Sequence, residues 1–184
     1  MHRKPLQTLL DNYALTHPSE QEMTERYLQF VEAHDNCFDR GLLIGHVTGS
    51  AWLVNTSATH VLLTHHRKLN MWLQLGGHAD GNPDIIAVAK REAREESGIE
   101  NIALVSPQIL SLDIHKIPAR KKEPEHYHYD ATFAFRTIDT DEFNVSEESH
   151  ALEWIEISKL HERTTEESMA RMAEKWNLIS NGRK

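Results

Sequence analysis

The chain of 184 residues is almost without cysteine, since Cys37 is the only one. A single thiol excludes a disulfide within the chain and favours a reducing compartment. The sequence also has no apolar run of about 18 residues, the length that a membrane-spanning helix needs. Its beginning, MHRKPLQTLLDNY, has basic residues but no long apolar segment and no small-residue cleavage site. We therefore expect a cytoplasmic protein that has no membrane partner.

Basic residues are also fewer than acidic residues. The 20 Lys and Arg residues face 28 Asp and Glu residues, which gives a formal net charge of −8. Such a chain is a poor ligand for nucleic acid, so we expect no nucleic-acid partner. The charge is compatible with a small polyphosphate substrate that is neutralised locally by a cation. Internal repeats and low-complexity tracts are absent, and the length suits one domain with a sizeable core.

The most informative stretch is Gly76–Ile99, GGHADGNPDIIAVAKREAREESGI. It predicts a tight glycine turn, a short polar loop and a helix. Asn82 is a favourable N-cap, Pro83 suits the first helical position, and Asp84 adds negative charge to the first turn. Gly98 suits the left-handed position that follows a helix. The stretch thus predicts a helix with defined ends.

Three carboxylates share one face of that helix, because Glu92, Glu95 and Glu96 have the spacing i, i+3 and i+4. Like charges at this spacing repel, and each unfavourable placement near the helix C-terminus costs about 0.3–1 kcal/mol. A divalent cation would offset the repulsion, since hard cations bind carboxylate oxygens. The glycines upstream can bring bare backbone close to the same metal or to a phosphate. The pattern predicts a metal site for phosphate chemistry.

This stretch resembles the signature of the Nudix hydrolases, G-x5-E-x7-R-E-U-x-E-E-x-G-U, in which U is aliphatic. Gly77 stands at the first glycine, and residues 91–99, REAREESGI, match the second half. The chain departs from the pattern at the first glutamate, where it has Pro83. Asp80 and Asp84 are the neighbouring carboxylates that could substitute for that glutamate.

The order of the predicted elements favours an α/β domain with a mixed sheet between helical layers. The resemblance implies the Nudix fold, a Nudix-like α/β/α sandwich with a mixed β-sheet, here preceded by an N-terminal helical extension. We assign the extension to residues 1–40 and the Nudix-like hydrolase domain to residues 41–184. A capping box of Ser19 and Glu22 predicts the start of the second helix in the extension. We expect the extension to pack on the domain rather than to form a dimer contact or shape the pocket.

A later stretch, His126–Phe135, has the alternation of a β-strand, which would place His126, His128 and Asp130 on one face. Three interpretations stay open: a zinc-type metal site, contacts to substrate phosphates or ribose, and a polar sheet face that neighbouring chain covers. The resemblance favours substrate binding, because in the family a strand at this position faces the signature helix across the pocket.

The resemblance implies a cofactor and a reaction. Magnesium, Mg2+, with Mn2+ as the alternative, would be held by Glu92, Glu95, Glu96 and the backbone carbonyl of Gly76. The implied substrate is a small-molecule nucleoside diphosphate derivative, in which a phosphoanhydride is hydrolysed by water. The derivative itself stays open, and a homodimer is compatible with the resemblance because dimers are common in the family.

The resemblance also implies catalytic roles. The general base would be Glu92 or a glutamate from the acidic loop of residues 139–150, with Glu148 as the first candidate and Glu147 as its alternate. Arg91 would orient the helix glutamates by ion pairing.

Other classes of function are compatible with parts of the sequence. A non-catalytic Nudix-like ligand-binding or regulatory domain would normally have lost helix glutamates that are all present here, although Pro83 leaves room for it. The isopentenyl diphosphate isomerase branch needs a cysteine in the pocket, and Cys37 lies in the N-terminal segment. A helix-rich interaction protein would leave the carboxylate cluster unexplained.

Overall fold

The structure, a computed structural model, describes residues 1–67, 70–120, 124–145 and 149–182. The helices in these ranges are α1 (Lys4–Thr16), α2 (Gln21–Ala33), α3 (Ile85–Ser97) and α4 (Glu167–Asn181). The strands are β1 (Gly45–Val54), β2 (His60–His66), β3 (Met71–His78), β4 (Ile102–Leu104), β5 (Ser111–Ile117), β6 (His126–Thr137) and β7 (Ser149–Glu156). The predicted α/β class is confirmed. None of the described helices has both the length and the apolar character needed to cross a membrane.

The strands form one mixed sheet with the order β4-β6-β1-β3-β2-β7, and β5 pairs with β6 beside β4. The central strands β1 and β6 are parallel, and their register places His46 opposite His128. β1 and β3 are antiparallel, with Ser50 opposite Gly76. This arrangement brings β3, which leads into the signature helix, next to the strand pair that carries the histidines.

Helices cover both faces of the sheet. Val88 of α3 and Tyr27 of α2 share one buried cluster with Ala51 of β1. The next residue, Trp52, belongs to a second cluster that includes Met172 of α4. Because successive residues of a strand point to opposite faces, α2 and α3 lie on one face and α4 on the other. The α/β/α sandwich is therefore confirmed.

The N-terminal helices are part of this core. Tyr27 is fully buried, and its hydroxyl donates to the carbonyl oxygen of Tyr129 at 2.8 Å. The predicted packing of the extension on the domain agrees with this contact. The capping box of Ser19 and Glu22 is wrong: a 3₁₀ turn covers Pro18–Glu20, and α2 begins at Gln21 without a side-chain cap.

The start of α3 also differs from the prediction. The N-cap is Asp84, whose carboxylate accepts a hydrogen bond from the backbone N–H of Ala87 at 3.0 Å. Asn82 accepts from the backbone N–H of Asp84 at 3.0 Å, so it organises the loop before the helix rather than capping it. At the other end, Gly98 adopts φ +70° as predicted.

The expected glycine turn lies elsewhere, because Gly76 and Gly77 are residues of β3. The chain reverses after the strand, where Asp80 and Gly81 have φ values of 49° and 84°. A Cβ atom on Gly76 would lie 2.8 Å from the Cα atom of Ser50. The glycine at this position therefore permits close packing of β3 on β1 rather than a turn.

Candidate functional site

Two carboxylates of α3 lie against consecutive residues of β3. Glu96 is 9% exposed, and its carboxylate accepts from the backbone N–H of Gly76 at 2.7 Å. A Cβ atom on Gly77 would lie 2.5 Å from the carboxyl carbon of Glu92. Only a residue without a side chain leaves room for Glu92 here. The end of β3 and the last turns of α3 thus form one carboxylate site.

Arg91 connects this carboxylate site to the strand. Its guanidinium donates to the carbonyl oxygen of His78 at 2.8 Å and to the carboxylate of Glu92 at 2.6 Å. The Glu92 side chain is 17% exposed and that of Arg91 is 42% exposed, so the ion pair lies at the surface with its carboxylate partly covered. The geometry is the one expected of a residue that orients Glu92, and the role itself stays a prediction.

The donor set suits a hard divalent cation. Magnesium is commonly bound by one or two carboxylates together with water and substrate phosphates. Glu92 and Glu96 supply two carboxylates beside Gly76, while Glu95 is exposed. Among the described residues, three histidines have potential ligand atoms within 4.8 Å of one another. The three glutamates do not form such a group. The carboxylate site therefore fits a cation that water and substrate help to bind.

The two aspartates near Pro83 have other partners. Asp80 receives two hydrogen bonds of 2.5 Å from the guanidinium of Arg40. These bonds hold the pKa of the Asp80 carboxyl below its usual value. Asp84 caps α3. Both carboxylates are therefore engaged in local structure and not in replacing the missing glutamate of the signature.

The loop candidates Glu148 and Glu147 lie outside the described residues. The segment before them contacts the end of α3. The backbone N–H of Asn144 donates to the carbonyl oxygen of Ser97 at 2.8 Å. A Cβ atom on Gly98 would lie 3.1 Å from the amide nitrogen of Asn144. This contact brings Asn144, near the middle of the acidic loop, to the helix end that carries the glutamates.

A histidine cluster lies on the sheet face on which α4 packs, the face opposite α3. It is near the end of the sheet where β1 begins. The ring of His128 is its centre, with centroid distances of 4.8–5.3 Å to four other imidazoles. These are the rings of His46, His78, His115 and His126. Sequence reasoning identified His126 and His128 from their alternation in one strand. It missed the other three, because only the pairing register between strands brings them alongside.

The buried histidines favour the neutral form. His46 is 3% exposed, and burial, with the nearby His78 and His126, lowers its pKa to about 4. Burial and the neighbouring imidazoles lower the pKa of His128 to about 2. Near neutral pH both rings are therefore uncharged and carry a nitrogen lone pair.

Asp130 lies two residues along β6 from His128 and is 2% exposed. Its carboxylate accepts from Thr48 at 2.7 Å, from Ser50 at 2.8 Å and from Thr132 at 3.1 Å. Burial raises its pKa, although these hydrogen bonds oppose the shift. Asp130 thus shares a face with His128, as predicted, and its described contacts are with three hydroxyl groups of the sheet.

The chain is similar to known proteins over most of its length. The family model described as NUDIX domain matches residues 46–176. An Ap4A hydrolase from C. elegans in a binary complex has 18% identity and a TM-score of 0.60, over 74% of this chain and 98% of that one. The E. coli dihydroneopterin triphosphate pyrophosphohydrolase has 15% identity and a TM-score of 0.57, over 73% of this chain and 95% of that one.

A hydrolase of the NUDIX family from Clostridium perfringens is also similar. It has 25% identity and a TM-score of 0.52, over 73% of this chain and 97% of that one. No curated protein matches the chain.

Proposed function

This chain belongs to the Nudix family, and from that premise we propose that it is a divalent-metal-dependent pyrophosphohydrolase. Its substrate class is a nucleoside diphosphate linked to another moiety. The observation that carries the proposal is the shielded pair of carboxylates, Glu92 and Glu96, held against Gly76 and Gly77. Two neighbouring carboxylates repel each other, and a divalent cation would offset the repulsion that remains beside Arg91.

We assign magnesium, or manganese in its place, to this carboxylate site. Glu92 and Glu96 would hold the ion, with Glu95 and the carbonyl oxygen of Gly76 as further ligands. When bound, the ion neutralises phosphate charge and lowers the pKa of coordinated water. The ion pair with Arg91 supports the assignment because it restricts the Glu92 side chain before any ligand arrives.

The remaining roles are those that the resemblance to the signature family implies. Glu92 or the loop residue Glu148 accepts the proton of the attacking water. We assign His126, His128 and Asp130 to substrate binding. Thr48 and Ser50 donate to the Asp130 carboxylate and hold it in place. Two relatives of the same fold are named as hydrolases of Ap4A and of dihydroneopterin triphosphate, which supports a substrate with linked phosphates.

The proposal is tested with the variants Glu92→Gln and Glu96→Gln, each of which removes a negative charge at constant size. We expect each to lower magnesium-dependent turnover at least about a hundredfold, because charge neutralisation and water activation both depend on the ion. Purified protein is assayed for phosphate or nucleotide release on a panel of nucleoside diphosphate derivatives, and thermal melts verify folding.

Glu100→Gln is the matched control, since Glu100 is an exposed carboxylate just beyond α3 that pairs with Arg94. It should keep full turnover. Full activity in both test variants would contradict the assignment of the carboxylate site. A wild-type protein that binds members of the panel but hydrolyses none would favour the non-catalytic ligand-binding alternative.

A further inference from the structure

We propose that His46, His78 and His128 form a second metal site, which takes a transition-metal ion of the zinc class. One ligand nitrogen from each ring lies within 4.8 Å of the other two. Three nitrogens bound to zinc at about 2.0–2.1 Å in tetrahedral geometry are about 3.3 Å apart, so small ring rotations suffice to bind the ion. We call this set the histidine site.

The histidine site is built on the central strands of the sheet. His46 and His128 face each other across the parallel pair β1 and β6. His78 ends β3 and pairs with Thr48, two residues along β1 from His46. The three ligands therefore come from three adjacent strands at the centre of the sheet. Ligands on strands are held more precisely than ligands on loops, which lowers the cost of organising the site.

The buried ring nitrogens of His46 and His128 favour a bound ligand. Nε2 of His128 is buried without a hydrogen-bond partner among the described residues, and both ring nitrogens of His46 are buried, with the backbone carbonyl of Leu42 near that ring. A buried polar atom without a partner is unfavourable. A bound cation would satisfy one nitrogen of His46 and one of His128.

The chemistry of the donors separates this site from the carboxylate site. Imidazole favours zinc, copper, iron or nickel, whereas carboxylate, carbonyl and water suit magnesium. The two remaining rings of the cluster have other partners: His115 pairs with Asp113 at 3.7 Å, and Nδ1 of His126 lies 2.9 Å from the carbonyl oxygen of Pro124. Three protein ligands leave a fourth tetrahedral position for water or a substrate oxygen.

The experiment measures metal binding and does not depend on any hydrolase activity. Full-length protein is stripped with a chelator and titrated with Co²⁺, whose visible absorption reports tetrahedral coordination, and then with Zn²⁺ in competition. We expect one tight equivalent of each ion that excess Mg²⁺ does not displace. His46→Gln and His78→Gln should each weaken Zn²⁺ binding at least about a hundredfold, since even partners of ligands contribute 10–100-fold.

Two control variants make the result specific. Glu92→Gln alters the carboxylate site and should leave the tight equivalent of Zn²⁺ in place. His161→Gln removes an exposed histidine away from the cluster and should also have no effect. The proposal is overturned if stripped wild-type protein binds no tight equivalent, if His46→Gln and His78→Gln both retain it, or if Glu92→Gln abolishes it. Thermal melts identify a misfolded variant, and the other histidine substitution then decides.

Discussion

At the scale of single residues, the two glycines of the signature act through the absence of a side chain. The sequence predicted that Gly76 and Gly77 form a turn, but both lie in an extended strand. Gly76 makes room for Ser50 of the neighbouring strand, and Gly77 makes room for the carboxylate of Glu92. The pattern of the signature was therefore sufficient to locate these residues, whereas their conformation depends on what packs against them.

Gly77→Ala tests this interpretation. The new Cβ atom would lie 2.5 Å from the carboxyl carbon of Glu92, so the carboxylate must move. We expect a loss of turnover of about tenfold to a hundredfold with little loss of stability, because a displacement of about 1 Å at a catalytic group has an effect of this size. Steady-state kinetics and a thermal melt measure the two quantities.

Gly182→Ala is the matched control for Gly77→Ala. It adds the same methyl group at the end of α4, where the nearest atom lies at 3.3 Å and φ is −74°. Its kinetics should equal those of the wild type. Wild-type kinetics in Gly77→Ala would mean that Glu92 need not occupy the space beside that glycine.

The histidines show which residues of the cluster could be predicted from the sequence and which could not. Alternation within one strand predicted that His126, His128 and Asp130 share a face, and they do. The contribution of His46 and His78 depends on register between strands that are distant in sequence. Register follows from packing of the whole sheet, so nothing local in the sequence indicated it.

At the scale of elements, the existence of each helix was easier to predict than its first residue. The cap residues and the final glycine located α3, but its start was expected at Asn82 and Pro83. The structure uses Asp84 as the N-cap instead. Several residues in a row were suitable caps, and the choice among them depends on how the preceding loop packs.

Asp84→Ala should destabilise the protein by about 1 kcal/mol, the usual cost of losing an N-cap side chain. The backbone N–H of Ala87 loses its acceptor at the first turn of the signature helix. Chemical denaturation measures the free energy of unfolding. Asp84→Ser keeps a capping oxygen and should recover most of the loss, and an Asp84→Ala variant as stable as the wild type would contradict the assigned cap.

At the scale of the molecule, the two ends of the chain meet. Lys175 of α4 pairs with Glu20 at 2.6 Å, and Glu20 also accepts from the hydroxyl of Tyr13 at 2.5 Å. The side chains of Lys175 and Glu20 are only 11% and 15% exposed. The division into residues 1–40 and 41–184 stays a prediction, and this ion pair makes the stability of each part depend on the other.

Glu20→Gln should lower the free energy of unfolding by about 3 kcal/mol at pH 7, because it leaves the half-buried ammonium of Lys175 without its counter-charge. Burial raises the pKa of Glu20, but the hydrogen bonds from Lys175 and Tyr13 outweigh burial and hold the pKa below its usual value. A carboxyl whose pKa is lower in the folded state contributes stability above its unfolded pKa of about 4.3.

The difference between wild type and Glu20→Gln should therefore be constant above about pH 5 and shrink as the pH falls below about 4. Denaturation curves across this range measure it. Glu156→Gln breaks an exposed ion pair with Lys159 and serves as the control that should match the wild type throughout. A penalty for Glu20→Gln that does not depend on pH would show that the charge of Glu20 is not its source.

The run Gly76-Gly77-His78 has a consequence for how this protein tolerates insertions. Gly77 borders Glu92 on one side of the strand, and His78 reaches the histidines on the opposite side. A one-residue insertion in β3 would exchange the sides of every residue beyond it. Both candidate centres would be lost in a single event, although the strand would keep its hydrogen-bonded neighbours.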